Sequence, residues 1–128
     1  MVSDPIGDLL TRIRNAYMVR ISELKIPYST IKADILKILK KNKYIASYSI
    51  SEEENNKKYL LVGLNDVKVT KYVPSFKRVS KPRRIYLAKD IKKSKNGKGI
   101  YIVSTPKGVV TGYEARSLNV GELLCEVF

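Results

Sequence analysis

Leu24-Lys25-Ile26-Pro27-Tyr28-Ser29-Thr30-Ile31-Lys32-Ala33-Asp34-Ile35-Leu36-Lys37-Ile38-Leu39 changes its apolar period midway. Leu24, Ile26 and Tyr28 alternate, as in a short strand, and Pro27 puts that strand on a sheet edge because proline cannot donate to a ladder. Ser29 caps a helix, and Ile31, Ile35, Ile38 and Leu39 recur at helical spacing as its inward face. Lys37, Lys40 and Lys41 crowd the last turns of this helix, where its dipole favours cations.

Upstream, Asp4 and Pro5 open another helix, the first as cap and the second at the first helical position. Ile6, Leu9, Leu10, Ile13, Ala16 and Tyr17 form one apolar stripe, and Arg12 and Arg14 fall off it. Downstream, Tyr44 to Ile50 and Tyr59 to Leu64 are β-rich runs around the polar stretch Glu52 to Lys58, a hairpin. The order to about residue 66 is therefore α-β-α-β-β. Asn65 to Pro74 changes character without Gly or Ser enrichment, which suits a hinge or a shared interface. The second half reads as short strands at Lys77 to Val79, Arg84 to Leu87, Ile100 to Ser104, Val109-Val110 and Leu123 to Phe128. Thr111 and Glu114 have capping-box spacing and open one short helix through Ala115 and Leu118. Lys92 to Gly99 reads as a mobile basic loop. The expected fold class is α+β: an α-β-α-β-β unit over 1–66, packed against a mostly-β unit with one short helix over 67–128.

The 128 residues carry a formal charge of +13. Folding does not call for that excess, since like charges destabilise a compact state, so a polyanionic partner is indicated. Residues 1–66 hold 11 Lys/Arg and 8 Asp/Glu, whereas residues 67–128 hold 14 and 4. Within 67–99 twelve basic residues face a single acid, Asp90, so the polyanion is expected to meet mainly the C-terminal half.

There is no histidine, and Cys125 is the one cysteine. The usual general base, the commonest metal ligand and any internal disulfide are thereby removed, and no cofactor is expected. Cys125 sits in the apolar run Leu123-Leu124-Cys125 and reads as a buried thiol. No apolar run is long enough to cross a bilayer. The N-terminal residues resemble neither a signal peptide nor a transit sequence, which points to a cytosolic protein or one made inside an organelle.

Two stretches carry chemistry. Ser104-Thr105-Pro106-Lys107-Gly108 matches the Ser-x-x-Lys of penicillin-binding enzymes, but Pro106 and Gly108 punctuate it and Val109-Val110 resumes as strand. As a turn it offers two hydroxyls, a phosphate-seeking lysine and a glycine that lets a nucleotide approach, features suited to unstacked RNA bases. Arg78-Val79-Ser80-Lys81-Pro82-Arg83-Arg84-Ile85-Tyr86 adds four cations and an aromatic that could stack. Two readings of other classes compete. One is a general DNA-binding or anionic-membrane protein, for which no helix-turn-helix or basic amphipathic helix is present in the basic region. The other is an enzyme acting through Ser104 and Lys107.

Together these stretches resemble the eighth protein of the ribosomal small subunit, in its bacterial type, over nearly the whole chain. The resemblance rests on residues 3–16, on Arg78-Val79-Ser80-Lys81-Pro82 with Arg84-Ile85-Tyr86, and on Gly97, Gly99 and Ile100. It continues through Ser104-Thr105, Lys107-Gly108-Val109, Thr111 and Glu114-Ala115-Arg116, to Asn119-Val120-Gly121-Glu122 and Leu124-Cys125. It implies a non-enzymatic, two-domain ribosomal protein that binds the central domain of small-subunit rRNA early in assembly. Neighbouring ribosomal proteins are implied as partners, as is its own operon messenger, whose translation it would repress; no membrane or small-molecule substrate is implied. The implied RNA contacts are Ser104, Thr105, Lys107 and Gly108, with Tyr86, Gly121 and Glu122, the basic run Arg78, Lys81, Arg83 and Arg84, and, from the N-terminal domain, Arg12, Arg14 and Asn15. Three departures lie around that surface: Pro106 where the family usually has serine, Arg83 directly after Pro82 where it has glycine, and a single Gly121 before Glu122 where it has two.

Overall fold

The computed structural model describes residues 4–78, 85–86, 99–115 and 121–128, with the side chains of 85, 86 and 122 left aside. The chain forms two compact units, Met1–Pro74 and Ser75–Phe128. Both are α+β.

In unit 1, α1 (Pro5–Met18) starts as its sequence requires: the Asp4 carboxylate accepts from the Gly7 amide at 3.1 Å, with proline at the first helical position. Ile6, Leu9, Leu10, Ile13, Ala16 and Tyr17 are all buried. β1 (Glu23–Pro27) leads to α2 (Thr30–Lys41), where the Ser29 hydroxyl accepts from the Lys32 amide. The buried face of α2 is Lys32, Ile35, Leu36, Ile38 and Leu39, with Ile31 half-buried. That face is rotated from the expected one toward Leu36. Lys32 tolerates burial because its stem lies along apolar surface while its ammonium donates to the Pro27 carbonyl at 3.4 Å, with Asp8 4.0 Å away.

β2 (Ser47–Glu52) and β3 (Lys58–Gly63) complete a three-stranded antiparallel sheet in the order β1-β3-β2, so the Pro27 strand is an edge, as its proline demands. Ile26, Leu60 and Val62 are fully buried. β2 starts later than the β-rich run from Tyr44 suggests. Tyr44 and Ile45 are buried in the connection instead, and the Tyr44 amide closes the end of α2 on the Leu39 carbonyl. A short helix with no counterpart in the sequence reading follows, α3 (Val67–Thr70), capped by the Asp66 carboxylate at 3.0 Å from the Lys68 amide.

Unit 2 is a sheet of five strands: β4 (Phe76–Arg78), β5 (Ile85–Tyr86), β6 (Ile100–Thr105), β7 (Gly108–Thr111) and β8 (Gly121–Val127). The order is β4-β8-β6-β7, and β5 pairs with β8 beyond β4. The helix α4 (Gly112–Ala115) opens where the Thr111 hydroxyl accepts from the Glu114 amide at 3.3 Å, as the capping spacing requires. The helical continuation expected through Leu118 lies outside the described residues, as does the basic loop 92–98. Val103 and Ala115 form a fully buried cluster with Tyr101, Val110 and Leu123 packed on it.

Candidate nucleic-acid interface

One end of the unit 2 sheet gathers residues from four strands. Ile85 pairs with Glu122, Glu122 with Ser104 and Ser104 with Val109; one step on, Tyr86 pairs with Gly121 and Thr105 with Gly108. The backbone thus brings Tyr86, Ser104, Thr105, Gly108, Gly121 and Glu122 side by side. Register alone does this, since strands neighbouring in a sheet run about 4.8 Å apart.

The β6–β7 connection is a two-residue turn, Pro106-Lys107. Proline favours the first central position of such a turn, and neither central residue takes a positive φ, so the primed turn types are not used. Gly108 takes up the geometry instead, with φ of +119°. No heavy atom of the other described residues lies within 4 Å of where a Cβ on Gly108 would sit, so the glycine is there for its backbone.

The two hydroxyls of the turn have different roles. Thr105 is buried, its Oγ1 donates to the Gly108 carbonyl at 2.8 Å and accepts from the Lys107 amide at 3.2 Å. One hydroxyl proton is available per threonine, and here it is spent bracing the turn. Ser104 lies on the opposite face from Val103 and Thr105 by strand alternation, is half-exposed, and makes no hydrogen bond with any described residue. Pro106 has no amide proton and that of Lys107 is held by Thr105. The turn therefore presents the Ser104 hydroxyl, the exposed Lys107 ammonium and backbone carbonyls.

Close packing of β8 on β6 fixes the turn from behind. A Cβ on Gly121 would overlap Val103 Cγ1 and come within 3.3 Å of Thr105 Cγ2 and 3.4 Å of the Ser104 carbonyl oxygen. Only a residue without a side chain lets the strands meet here. Nearby, Ile102 pairs with Cys125 but Val103 pairs with Leu123, so Leu124 is the extra residue of a β-bulge. The Arg78 guanidinium donates to the Leu124 carbonyl at 2.5 Å, satisfying an acceptor that the bulge takes out of the ladder. Sequence reasoning saw Arg78 only as a phosphate contact and missed this internal bond. Burial pushes the neighbouring Cys125 thiol up to about 12, with Arg78 acting in the opposite, smaller sense. The thiol is inert at neutral pH.

Arg12, Arg14 and Asn15 lie on the exposed face of α1 in unit 1. Arg12 is ion-paired with Asp8 at 2.9 Å one turn earlier. Lys81, Arg83 and Arg84 lie outside the described residues, and Tyr86 and Glu122 are placed by their backbone alone. Among the described residues no group of three or more acidic, cysteine or histidine side chains is arranged to hold a metal, and no helix is long and apolar enough to cross a membrane.

Residues 4–128 match the family model for ribosomal protein S8. The chain is 46% identical over 130 residues to the small ribosomal subunit protein uS8 of Cereibacter sphaeroides, covering 99% of this chain and 98% of the relative. The proteins of that name from Mesorhizobium japonicum and Brucella abortus (strain S19) are each 45% identical over 130 residues, with 99% of this chain and 98% of the relative covered.

Proposed function

The chain belongs to the ribosomal protein S8 family, which is structural and not enzymatic, and from that premise we propose that it binds small-subunit rRNA directly, in the central domain and early in assembly. The β6–β7 turn reads an irregular RNA helix: the Ser104 hydroxyl meets a base edge, Lys107 neutralises phosphate, and Gly108 leaves room for the nucleotide. Thr105, Gly121 and Arg78 hold that turn and its strand in place. Tyr86 and Glu122 extend the contact along the same sheet end, the basic residues Lys81, Arg83 and Arg84 add phosphate neutralisation, and Arg12, Arg14 and Asn15 approach RNA from α1. A similar structure in the messenger of its own operon would be held by the same turn, giving translational repression.

The observation carrying this reading is the division of labour at the turn, a serine hydroxyl with no bond to any described residue beside a threonine hydroxyl held within the turn. Chemical footprinting of small-subunit rRNA with the intact protein tests it. Protection of one internal loop, lost in Ser104→Ala, is expected; uniform protection that follows salt alone would refute a reading role.

A further inference from the structure

The helices of unit 1 end in an unusual way. At the end of α1 the Ile21 amide donates to the Ala16 carbonyl at 3.0 Å and the Arg20 amide to the Tyr17 carbonyl at 3.2 Å. At the end of α2 the Tyr44 amide donates to Leu39 at 2.8 Å and the Lys43 amide to Lys40 at 3.0 Å. Both pairs form the Schellman arrangement, whose left-handed residue is ordinarily glycine, sometimes asparagine. Here those residues are Arg20, with φ of 60°, and Lys43, with φ of 65°. α3 closes likewise on Lys71, with φ of 56°. A side chain in this region is disfavoured by contact with the following carbonyl. All three helices place a cation where the backbone would prefer none.

The ends of α1 and α2 are tied to one point, and α3 follows it directly in the chain. Tyr17 Oη donates to the Tyr44 carbonyl at 2.6 Å and accepts from the Asn65 amide at 3.3 Å. The Asn65 side-chain amide donates to the Lys43 carbonyl at 3.0 Å. Burial raises the Tyr17 phenol above its ordinary value, so it stays a donor through the neutral range. Around this node opens a cleft of about 360 Å³, lined among others by Arg20, Asn65, Asp66 and Lys68. Arg20, Lys43, Lys68 and Lys71 are exposed, and none of them forms an ion pair with a described residue. The one carboxylate lining the cleft, Asp66, accepts the Lys68 amide to cap α3.

Five of the eight acids in residues 1–66 lie away from this cleft, while Glu23 starts β1 beside it and Asp66 lines it. Glu52, Glu53 and Glu54 lie at the β2–β3 hairpin, where Glu53 is ion-paired with Lys25, and Asp4 and Asp8 lie at the start of α1.

We propose that Arg20, Lys43, Lys68 and Lys71, fixed around the Tyr17–Asn65 node, form a second RNA-binding site that holds the phosphate backbone of rRNA, separate from the turn at Ser104. Helix dipoles favour a cation at each of these ends, and that gain partly offsets the backbone cost. A purely structural role would therefore predict that removing the cations weakens the fold or leaves it as it was, with RNA unaffected. A phosphate site predicts that stability and affinity separate. The proposal rests on the reading that the chain binds rRNA.

The test uses the full-length chain carrying Arg20→Gly, Lys43→Gly and Lys71→Gly, with Ser104→Ala measured in parallel on small-subunit rRNA. Glycine relieves the backbone, so the triple variant is expected to melt at or above the temperature of the parent. Its affinity is expected to fall at least tenfold at low salt, and the slope of log affinity against log salt to shrink by about 2, close to one phosphate per cation. Protection at the Ser104-dependent loop should persist, with a separate set of backbone positions losing it. An Arg20→Lys, Lys43→Arg, Lys71→Arg variant keeps the charges and should retain affinity. An unchanged salt slope in the glycine variant would overturn the proposal, including where the variant binds RNA normally but fails to join a neighbouring protein. If Ser104→Ala also leaves specific binding unchanged, the rRNA reading itself has failed; if Ser104→Ala alone acts, only the second site has.

Discussion

In unit 1, Arg20, Lys43 and Lys71 sit at helix ends, each an exposed cation on a positive-φ backbone position. In unit 2 two hydroxyls sit at a two-residue strand turn, where that of Thr105 is consumed in bracing and that of Ser104 bonds no described residue. Cations at helix ends act over distance and discriminate little among RNAs, because every phosphate looks alike. A hydroxyl held by sheet register discriminates by position, and a shift of one residue would turn it to the other face. Charge changes in unit 1 should therefore move the salt dependence, and small steric or hydrogen-bond changes in unit 2 should move specificity.

The sharpest way to break the unit 2 arrangement is at its back. Gly121→Ala forces a methyl into fully buried Val103, and overpacking of this kind costs about 1–3 kcal/mol. Denaturant melts should show that loss together with lost protection of the specific rRNA loop. Arg78→Met strands the Leu124 carbonyl of the bulge, an expected cost of about 1–3 kcal/mol, while the salt slope drops by less than one phosphate contact. A full-unit drop in slope with no loss of stability would instead make Arg78 a phosphate ligand. Thr105→Val keeps the shape and removes both turn bonds, with about 1 kcal/mol of destabilisation expected.

Cys125 gives a smaller, pH-dependent signal. Its folded-state value, about 12, lies above that of an exposed thiol, so the unfolded chain loses its proton first. The stabilisation is full below about pH 8.5 and is lost as pH rises toward 12. Thiol labelling at pH 8 should run at the rate of unfolding and accelerate in Gly121→Ala. Rapid labelling of the folded protein would contradict the burial.

Much of this was legible in the residues. The α1 stripe and its Asp4-Pro5 start were plain because cap, proline and period all agree. The face of α2 was less so: Lys32 reads as a surface cation, and only the tertiary contact with Pro27 and Asp8 lets it turn inward. α3 is a single turn, too short to show a period, and Asp66 alone does not announce it. At the turn, Ser104 and Thr105 look equivalent in sequence because both carry a hydroxyl. The strand alternation and the Thr105–Gly108 bond separate them. Gly121 gave no sign of close packing, since the side chains it would meet come from a strand nearly twenty residues away.

Two adjacent hydroxyls with separate roles are the centre of the RNA contact proposed for unit 2. The most direct measurement is the affinity of Ser104→Ala for its rRNA loop, titrated across salt beside a nonspecific RNA, with the melting temperature recorded on the same preparation. The account predicts unchanged melting, an unchanged salt slope, and a fall in affinity for the specific loop alone, about tenfold for one lost hydrogen bond to a base. Equal affinity of the variant and the parent for that loop would contradict it.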